Sequence, residues 1–411
     1  MNTRPLAIDG ARLWESLMTM ARIGATDKGG VRRLALTALD GEGRQLFIRW
    51  AQAAGCTITI DALGNIFARR DGTDATRAPV VTGSHLDSQP SGGKFDGSYG
   101  VLAGLEVLRT LAARDIRTAA PIEVAVWTNE EGSRFTPVMM GSGVYAGLFD
   151  VDETLARTDV DGVRVGDALT AIGFAGDRTR LGRPIGAYFE THIEQGPVLE
   201  DADKTIGVVT GGLGLRWYDV RMIGQDSHAG PTPMGLRRDA LLAASEVVVA
   251  VNSVALDHAP HGRGTVGYMK VAPNSRNVVP GQVDFSVDLR ASDDATLDRM
   301  EALVRAQCAS ISAAHGVEMT MTLATQFSVV KFAPDPVAMV RAAATARGYS
   351  NMEIVSGAGH DAFYIARMAP AAMIFVPCAG GLSHNELEDA DPAHLEAGAN
   401  VLLDAMLAAA G

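Results

Sequence analysis

Short, mainly apolar runs recur along the chain at residues 79–82, 122–127, 186–190 and 373–377. Each is rich in β-branched or aromatic residues and ends in glycine, serine or charged side chains. Runs of this kind predict strands buried on both faces, as in the middle of a parallel sheet. Between them the apolar spacing lengthens to a helical rhythm. Val101, Leu102, Leu105 and Leu108 follow the first run, with Ser98 placed to cap that helix. Leu13, Leu17, Met20 and Ala21 predict a helix over 11–25, and Phe47, Ile48 and Trp50 one over 40–54. Further helices are expected from Asp150, over 335–347, and from His394 onward. Residues 57–61 and 65–70 alternate and predict a hairpin.

The rhythm changes near Gly211. Segments 215–223, 265–271, 282–290 and 317–323 read as strands, and 282–290 alternates strictly, so one face is buried and the other wet. Helices are expected over 237–254 and 294–313. The order βαββαβ fits a ferredoxin-like open sandwich. The fold class is therefore α/β. A doubly wound, mixed-sheet catalytic domain is expected over 1–212 and 328–411, interrupted by an inserted α+β domain at 213–327.

Composition narrows the class of function. The 411 residues carry a formal charge of −12 with no basic run, which argues against nucleic acid as a partner. No stretch is apolar over the ~20 residues a membrane span needs, and the first residues lack an apolar signal core. Cys56, Cys308 and Cys378 are too widely spaced for a disulfide framework or zinc ribbon. A cytoplasmic location is expected.

The chemistry lies where the apolar runs end. The first is followed by His85 and Asp87 and, after a Gly-rich loop, by Asp96; the second by Glu130 and Glu131; the third by His192; the fourth by His384. Imidazole and carboxylate suit Zn²⁺, Mn²⁺ or Co²⁺. Five such groups (His85, Asp96, Glu131, His192 and His384) exceed what one open catalytic ion needs and match two ions sharing one carboxylate. Asp87 is placed to orient the His85 ring. Adjacent side chains leaving a strand diverge, so one of Glu130 and Glu131 can bind metal while the other handles a proton.

These pieces resemble the M20 metallopeptidase and amidohydrolase superfamily, and within it the hydantoinase/carbamoylase branch. The matching segments are Gly-Ser-His85-Leu-Asp-Ser with Gly-Gly-Lys-Phe-Asp96-Gly, and Asn129-Glu-Glu-Gly-Ser-Arg-Phe. Further along come Glu190-Thr-His-Ile-Glu-Gln-Gly, Asp226-Ser-His-Ala-Gly-Pro-Thr-Pro-Met, Asn274-Ser-Arg-Asn-Val-Val-Pro, Asp288-Leu-Arg, Gly357-Ala-Gly-His-Asp-Ala and Ser383-His. The likeness spans nearly the whole chain in order. It implies His85, Asp96 (bridging), Glu131, His192 and His384 as ligands of two divalent ions, with Glu130 as general base and later proton donor. It also implies His228 as oxyanion stabiliser, Asn277 and Arg290 as binders of a substrate carboxylate, and Gln195 as a contact to the ureido or amide group. The implied activity is hydrolysis of N-carbamoyl-L-amino acids; allantoate, ureidoglycolate or N-acyl amino acids are the alternatives. The implied assembly is a homodimer paired through the inserted domain, which would also act as a lid.

Arg290 ends an alternating strand, where a guanidinium can grip a carboxylate with two bonds. His228 falls in a Gly/Pro-rich turn, an exposed position suited to a ligand contact. Arg216, on a strand of the same inserted sheet, is a further candidate for substrate. So is the backbone around Gly359, in a Gly-rich loop whose His360 is not expected to bind metal. Cys378 is not expected to act as a nucleophile. A non-catalytic binding protein on the same scaffold would have no use for the base at Glu130.

Overall fold

The computed structural model describes residues 6–411. Two compact units emerge: the chain up to Gly211 together with Lys331–Gly411, and Gly212–Val330. Its strands are β1 (Thr57–Ile60), β2 (Ile66–Arg70), β3 (Val80–His85), β4 (Ile122–Trp127), β5 (Ala187–Ile193) and β6 (Ile206–Gly212). Then follow β7 (Gly214–Ile223), β8 (Ser227–His228), β9 (Arg263–Thr265), β10 (Met269–Ala272), β11 (Val278–Val279), β12 (Gln282–Ala291) and β13 (Glu318–Phe327). The last are β14 (Val330–Lys331), β15 (Asn351–Ser356) and β16 (Ala371–Val376).

The first sheet has nine strands in the order β1-β2-β4-β3-β5-β16-β6-β14, with β15 paired to β6. Its middle four, β4-β3-β5-β16, are parallel. Antiparallel pairs flank them on both sides. Every residue of those four strands is buried, which is why they read as mainly apolar runs rather than alternating ones. Because they are parallel, their carboxyl ends meet at one edge. From β3 the chain goes to β4 on one side and later to β5 on the other, and a crevice opens at such a switch point. Helix Ser98–Ala113 packs closely here: a Cβ on Gly100 would lie 2.4 Å from the Thr191 carbonyl oxygen. Ser98 is not its cap. Gly97 holds the cap position, and the Ser98 hydroxyl instead accepts from the buried guanidinium of Arg33 at 3.0 Å. β6 and β15 lie beyond the elements expected from sequence.

The second unit holds a separate antiparallel sheet in the order β10-β12-β7-β13, with β9 also on β12. Helices Ala240–Leu256 and Asp294–His315 bury one of its faces through Val247, Val251, Met300 and Val304 against Val220, Met222, Phe285 and Leu289. The first of these helices begins at 240 rather than 237, because the Asp239 carboxylate accepts from the N–H groups of Leu241 and Leu242. The strand expected at 265–271 is broken in two. Thr265 pairs with Asp288 and Met269 with Phe285, so one residue too many lies on the outer strand and bulges. Among the described residues no helix is long and apolar enough to cross a membrane.

Candidate active site

His85 closes β3. Its Nδ1–H donates to the carbonyl oxygen of Asp87 at 2.9 Å, so Nε2 is left with a lone pair facing inward. That Nε2 lies 3.6 Å from Asp96 Oδ1 and 3.5 Å from Glu130 Oε2. Gly97 must be glycine for the ring to sit there. Its φ is +64°, and a Cβ would fall 2.4 Å from three ring atoms. His192 on β5 repeats the device: Nδ1–H donates to the Ile193 carbonyl oxygen at 2.9 Å, and Nε2 points to Asp96 Oδ1 at 3.2 Å.

Asp96 turns its other oxygen the opposite way. His384 Nε2 lies 3.4 Å from Asp96 Oδ2 and 3.3 Å from Glu131 Oε2. Two triads result, His85–Asp96–His192 and Asp96–Glu131–His384, and within each the candidate ligand atoms lie within 4.8 Å of one another. Asp96 belongs to both. Against the penalty of burial, the imidazoles of His192, His384 and His85 hold its carboxyl well below the usual range. His384 is pushed up to about 9, chiefly by its hydrogen bond to Asp96. Burial, and then the Asp96 charge, push Glu131 up to about 7.

The role expected of Asp87 is corrected by geometry. Its main-chain carbonyl, not its carboxylate, orients His85; the carboxylate is 3.9 Å from Nδ1. Instead Oδ1 and Oδ2 accept from the backbone N–H groups of Glu130 and Glu131, each at 3.3 Å. Asp87 thus fixes the turn that carries both glutamates. Glu130 is buried, and that burial holds its carboxyl well above the usual range, with Asp361 and Glu131 adding repulsion against the pull of His85. Asn129, just before it, has φ +54°, and Met139, Gln195 and His384 around the same site also have positive φ. Strain of this kind persists only where the surroundings over-determine it.

Three further residues shape the site: sequence singled out neither Glu388 nor Gln89, and Ser383 only as part of the Ser383-His match. Glu388 accepts from the backbone N–H groups of Phe95 (2.9 Å) and Asp96 (3.2 Å), fixing the bridging position. Ser383 donates to Asp96 Oδ2 or Glu388. Gln89 donates to Glu131 Oε2 at 2.6 Å. The only signal for Glu388 was an acid in the turn just past His384. The cavity, about 240 Å³, is lined by His85, Asp96, Glu130, Glu131, His192 and His384, with Gln89, Gln195, Val138, Met139 and the loop Ala358, Gly359 and His360. No lysine or arginine is among these lining residues. Gln195 donates to Asp96 Oδ2 at 3.0 Å, and its Oε1 is buried without a partner. His360 packs edge-on against His192 with ring centroids 4.6 Å apart and bonds Ser356. Burial raises the Cys378 thiol to about 11, which fits an inert role.

The remaining candidates belong to the second unit. His228 and Asn277 come together where β8 meets β11: Ala229 N–H donates to the Asn277 carbonyl oxygen at 2.8 Å, and both side chains are exposed. Arg290 is on β12, on the face away from the helices, and donates to Asp288 Oδ2 at 2.9 Å. Arg216 faces the opposite way. Its guanidinium is taken by Asp298 and Glu301 of the covering helix. The substrate contact expected of Arg216 gives way to a strut between sheet and helix.

The peptidase family M20/M25/M40 matches residues 81–408. The chain is 48% identical over 400 residues to the N-carbamoyl-L-amino-acid amidohydrolase of Rhizobium meliloti, covering 97% of this chain and 96% of that one. It is 34% identical to the allantoate amidohydrolase of Bacillus subtilis, with 94% of each covered. Among crystal structures, an amidase of the hydantoinase/carbamoylase family from Burkholderia multivorans aligns with a TM-score of 0.97 at 58% identity over 99% of both chains.

Proposed function

The chain belongs to peptidase family M20/M25/M40, and from that premise we propose that it is a metal-dependent amidohydrolase cleaving the ureido C–N bond of N-carbamoyl-L-amino acids. The products would be the amino acid, ammonia and carbon dioxide. The observation that carries the reading is the sharing of Asp96 between two ligand triads inside a cavity lined by acids and imidazoles.

The donor set fits two divalent cations, Zn²⁺, Mn²⁺ or Co²⁺: three inward-facing imidazole nitrogens and two carboxylates, with no lysine or arginine among the lining residues. His85 and His192 would hold one ion, Glu131 and His384 the other, with Asp96 on both. When bound, the ions would polarise the ureido carbonyl and lower the pKa of an attacking water. Glu130 takes the proton from that water and returns it to the leaving nitrogen; its raised proton affinity suits both duties. Asp87 holds Glu130 in place through the backbone. Gln195 Oε1, buried and unpartnered, is available to accept from the ureido NH₂, and the Gly359 backbone lines the same cavity. From the second unit, Arg290 and Asn277 are assigned to the substrate carboxylate and His228 to the developing oxyanion. Residues 213–327 are assigned the roles of lid and dimer contact.

The test is ammonia release by protein loaded with Mn²⁺ or Zn²⁺, on N-carbamoyl-L-amino acids, allantoate and N-acetyl-L-amino acids in parallel. Ammonia from the carbamoyl set is expected. Likeness to the Bacillus subtilis enzyme favours allantoate as the second reading, and ammonia from allantoate alone would establish it. Free amino acid from the acetyl set without ammonia from the others would refute the ureido assignment.

A further inference from the structure

Behind Glu130 lies a buried acid that the mechanism above does not use. Asp361 begins the helix Asp361–Ile365 and is fully buried. Its Oδ1 shares a short hydrogen bond with the Ser142 hydroxyl, and its Oδ2 has no partner. Nearby Glu190 is also buried, yet accepts from Ser84 Oγ at 2.8 Å and from Ala362 N–H at 3.0 Å. Glu190 therefore has the partners an ionised carboxylate needs, and Asp361 does not.

Ser142 settles where a proton on Asp361 would sit. Its hydroxyl has one hydrogen and two neighbours, Asp361 Oδ1 and the Met139 carbonyl oxygen at 3.2 Å. If Asp361 is ionised, Ser142 must give its hydrogen to it, and the Met139 carbonyl keeps only the Gly143 N–H at 2.9 Å. If Oδ1 carries the proton, one chain satisfies every donor: Asp361 O–H donates to Ser142, and Ser142 O–H donates to Met139. The only orphan is then a carbonyl-type oxygen, far cheaper to bury than a charge. Burial, and next the charge of Glu190, favour the protonated form; the Ser142 hydrogen bond and His85 oppose it, and Asp87 adds to it.

Met139 is the link to the chemistry. Its N–H donates to the Glu130 carbonyl oxygen at 2.7 Å, and Met140 and Gly141 donate to Asn129 and Thr128 at 3.2 and 2.8 Å. The turn 139–142 is thus strapped along the segment that carries Glu130. We propose that Asp361 is a positioning residue for Glu130: a neutral acid whose proton, passed through Ser142, fixes the turn to which the Glu130 backbone is bonded. The inference rests on Glu130 being the base of the proposed reaction.

Metal-loaded wild type, D361N, D361A and S142A would be compared. An asparagine amide can replace the donor to Ser142 without charge, so D361N should keep kcat within about threefold, whereas D361A should lose about 10- to 100-fold in kcat with KM and metal content unchanged. S142A should fall in the same direction as D361A, and carries that arm if D361A does not fold. D361N as impaired as D361A, or a loss in D361A or S142A that falls on KM or on metal content, would overturn the proposal. A difference infrared spectrum, wild type minus D361N near neutral pH, should show the carbonyl stretch of an un-ionised carboxylic acid; its absence would also overturn it. That measurement uses no substrate, so it separates failure of this proton assignment from failure of the ureido reading.

Discussion

The candidate groups of the first unit and those of the second differ in what holds them. His85, Asp96, Glu131 and His192 are buried; backbone carbonyls fix the tautomers of His85 and His192, and the Glu388 carboxylate holds the Asp96 backbone N–H. His228 stands exposed on the two-residue β8 and Asn277 just before β11, and Arg290 is engaged by Asp288, the acid two residues before it. The first group is built to one geometry before any ligand arrives, which metal chemistry demands. On the proposed assignment the second can trade partners, a substrate carboxylate replacing Asp288 on Arg290, and precision and recognition are kept on different backbones.

The sharpest way to break that comparison is E130Q. Removing the base from the rigid site should lower kcat by about 10²–10⁴-fold while metal content by atomic absorption stays at the wild-type level. Substantial turnover in that variant would remove Glu130 from the reaction. R290A probes the exchangeable side. It should raise KM by about 10- to 100-fold, the loss of a charge-assisted hydrogen bond worth about 1.5–3 kcal/mol, with kcat changed far less. A kcat defect instead would place Arg290 with the rigid group.

G97A tests the rigidity itself. Alanine at φ +64° is strained by about 1–2 kcal/mol. Its Cβ would also displace the His85 ring, so metal affinity should drop by about 10- to 100-fold. Titration of the metal-free protein reads this directly, and unchanged affinity would show that His85 is not a ligand in this orientation. A milder effect concerns protons. His384 is raised to about 9 without metal, so at pH 7 it carries a proton that a cation must displace. Binding should release at least about one proton at pH 7, and affinity should climb with pH until about 9. Calorimetry in two buffers of different ionisation enthalpy measures the release; none would mean the imidazole is already free.

The four central strands could be read because burial on both faces leaves a mainly apolar run, and because metal-type side chains stand at each carboxyl end. His85, Glu130, His192 and His384 were legible for that reason. Glu388 and Gln89 were not, since a residue that acts by holding a backbone N–H or another side chain leaves no periodic trace. The main-chain role of Asp87 was hidden likewise: sequence places its carboxylate near His85, but only coordinates show which of its oxygens reaches the ring. In the second unit the alternation of β12 gave its two faces, yet the bulge opposite it was missed; its one signal was Gly267, a glycine inside the strand pattern Thr265–Tyr268. β6 sits between β16 and the strands β14 and β15, partners that lie far away in the chain, which no local pattern encodes.

Arg216 gives the smallest expected effect and the finest test of the two faces of the second sheet. Arg216 pairs across the ladder with Leu289, and Leu289 is buried on the helix side. Arg290, the next residue, must therefore point the other way. The two arginines, both plausible carboxylate binders by sequence, cannot serve one carboxylate from one face. Arg216 is instead spread over Asp298 and Glu301, and Glu301 also accepts from Arg305 at 2.8 Å. Such partly exposed networks are worth about 0.2–1 kcal/mol per pair. R216A should therefore lower stability by about 1 kcal/mol or less in a urea titration and leave kcat/KM within about twofold. A rise in KM matching that of R290A would show that both faces meet substrate, and the separation of strut from substrate binder in this sheet would fail.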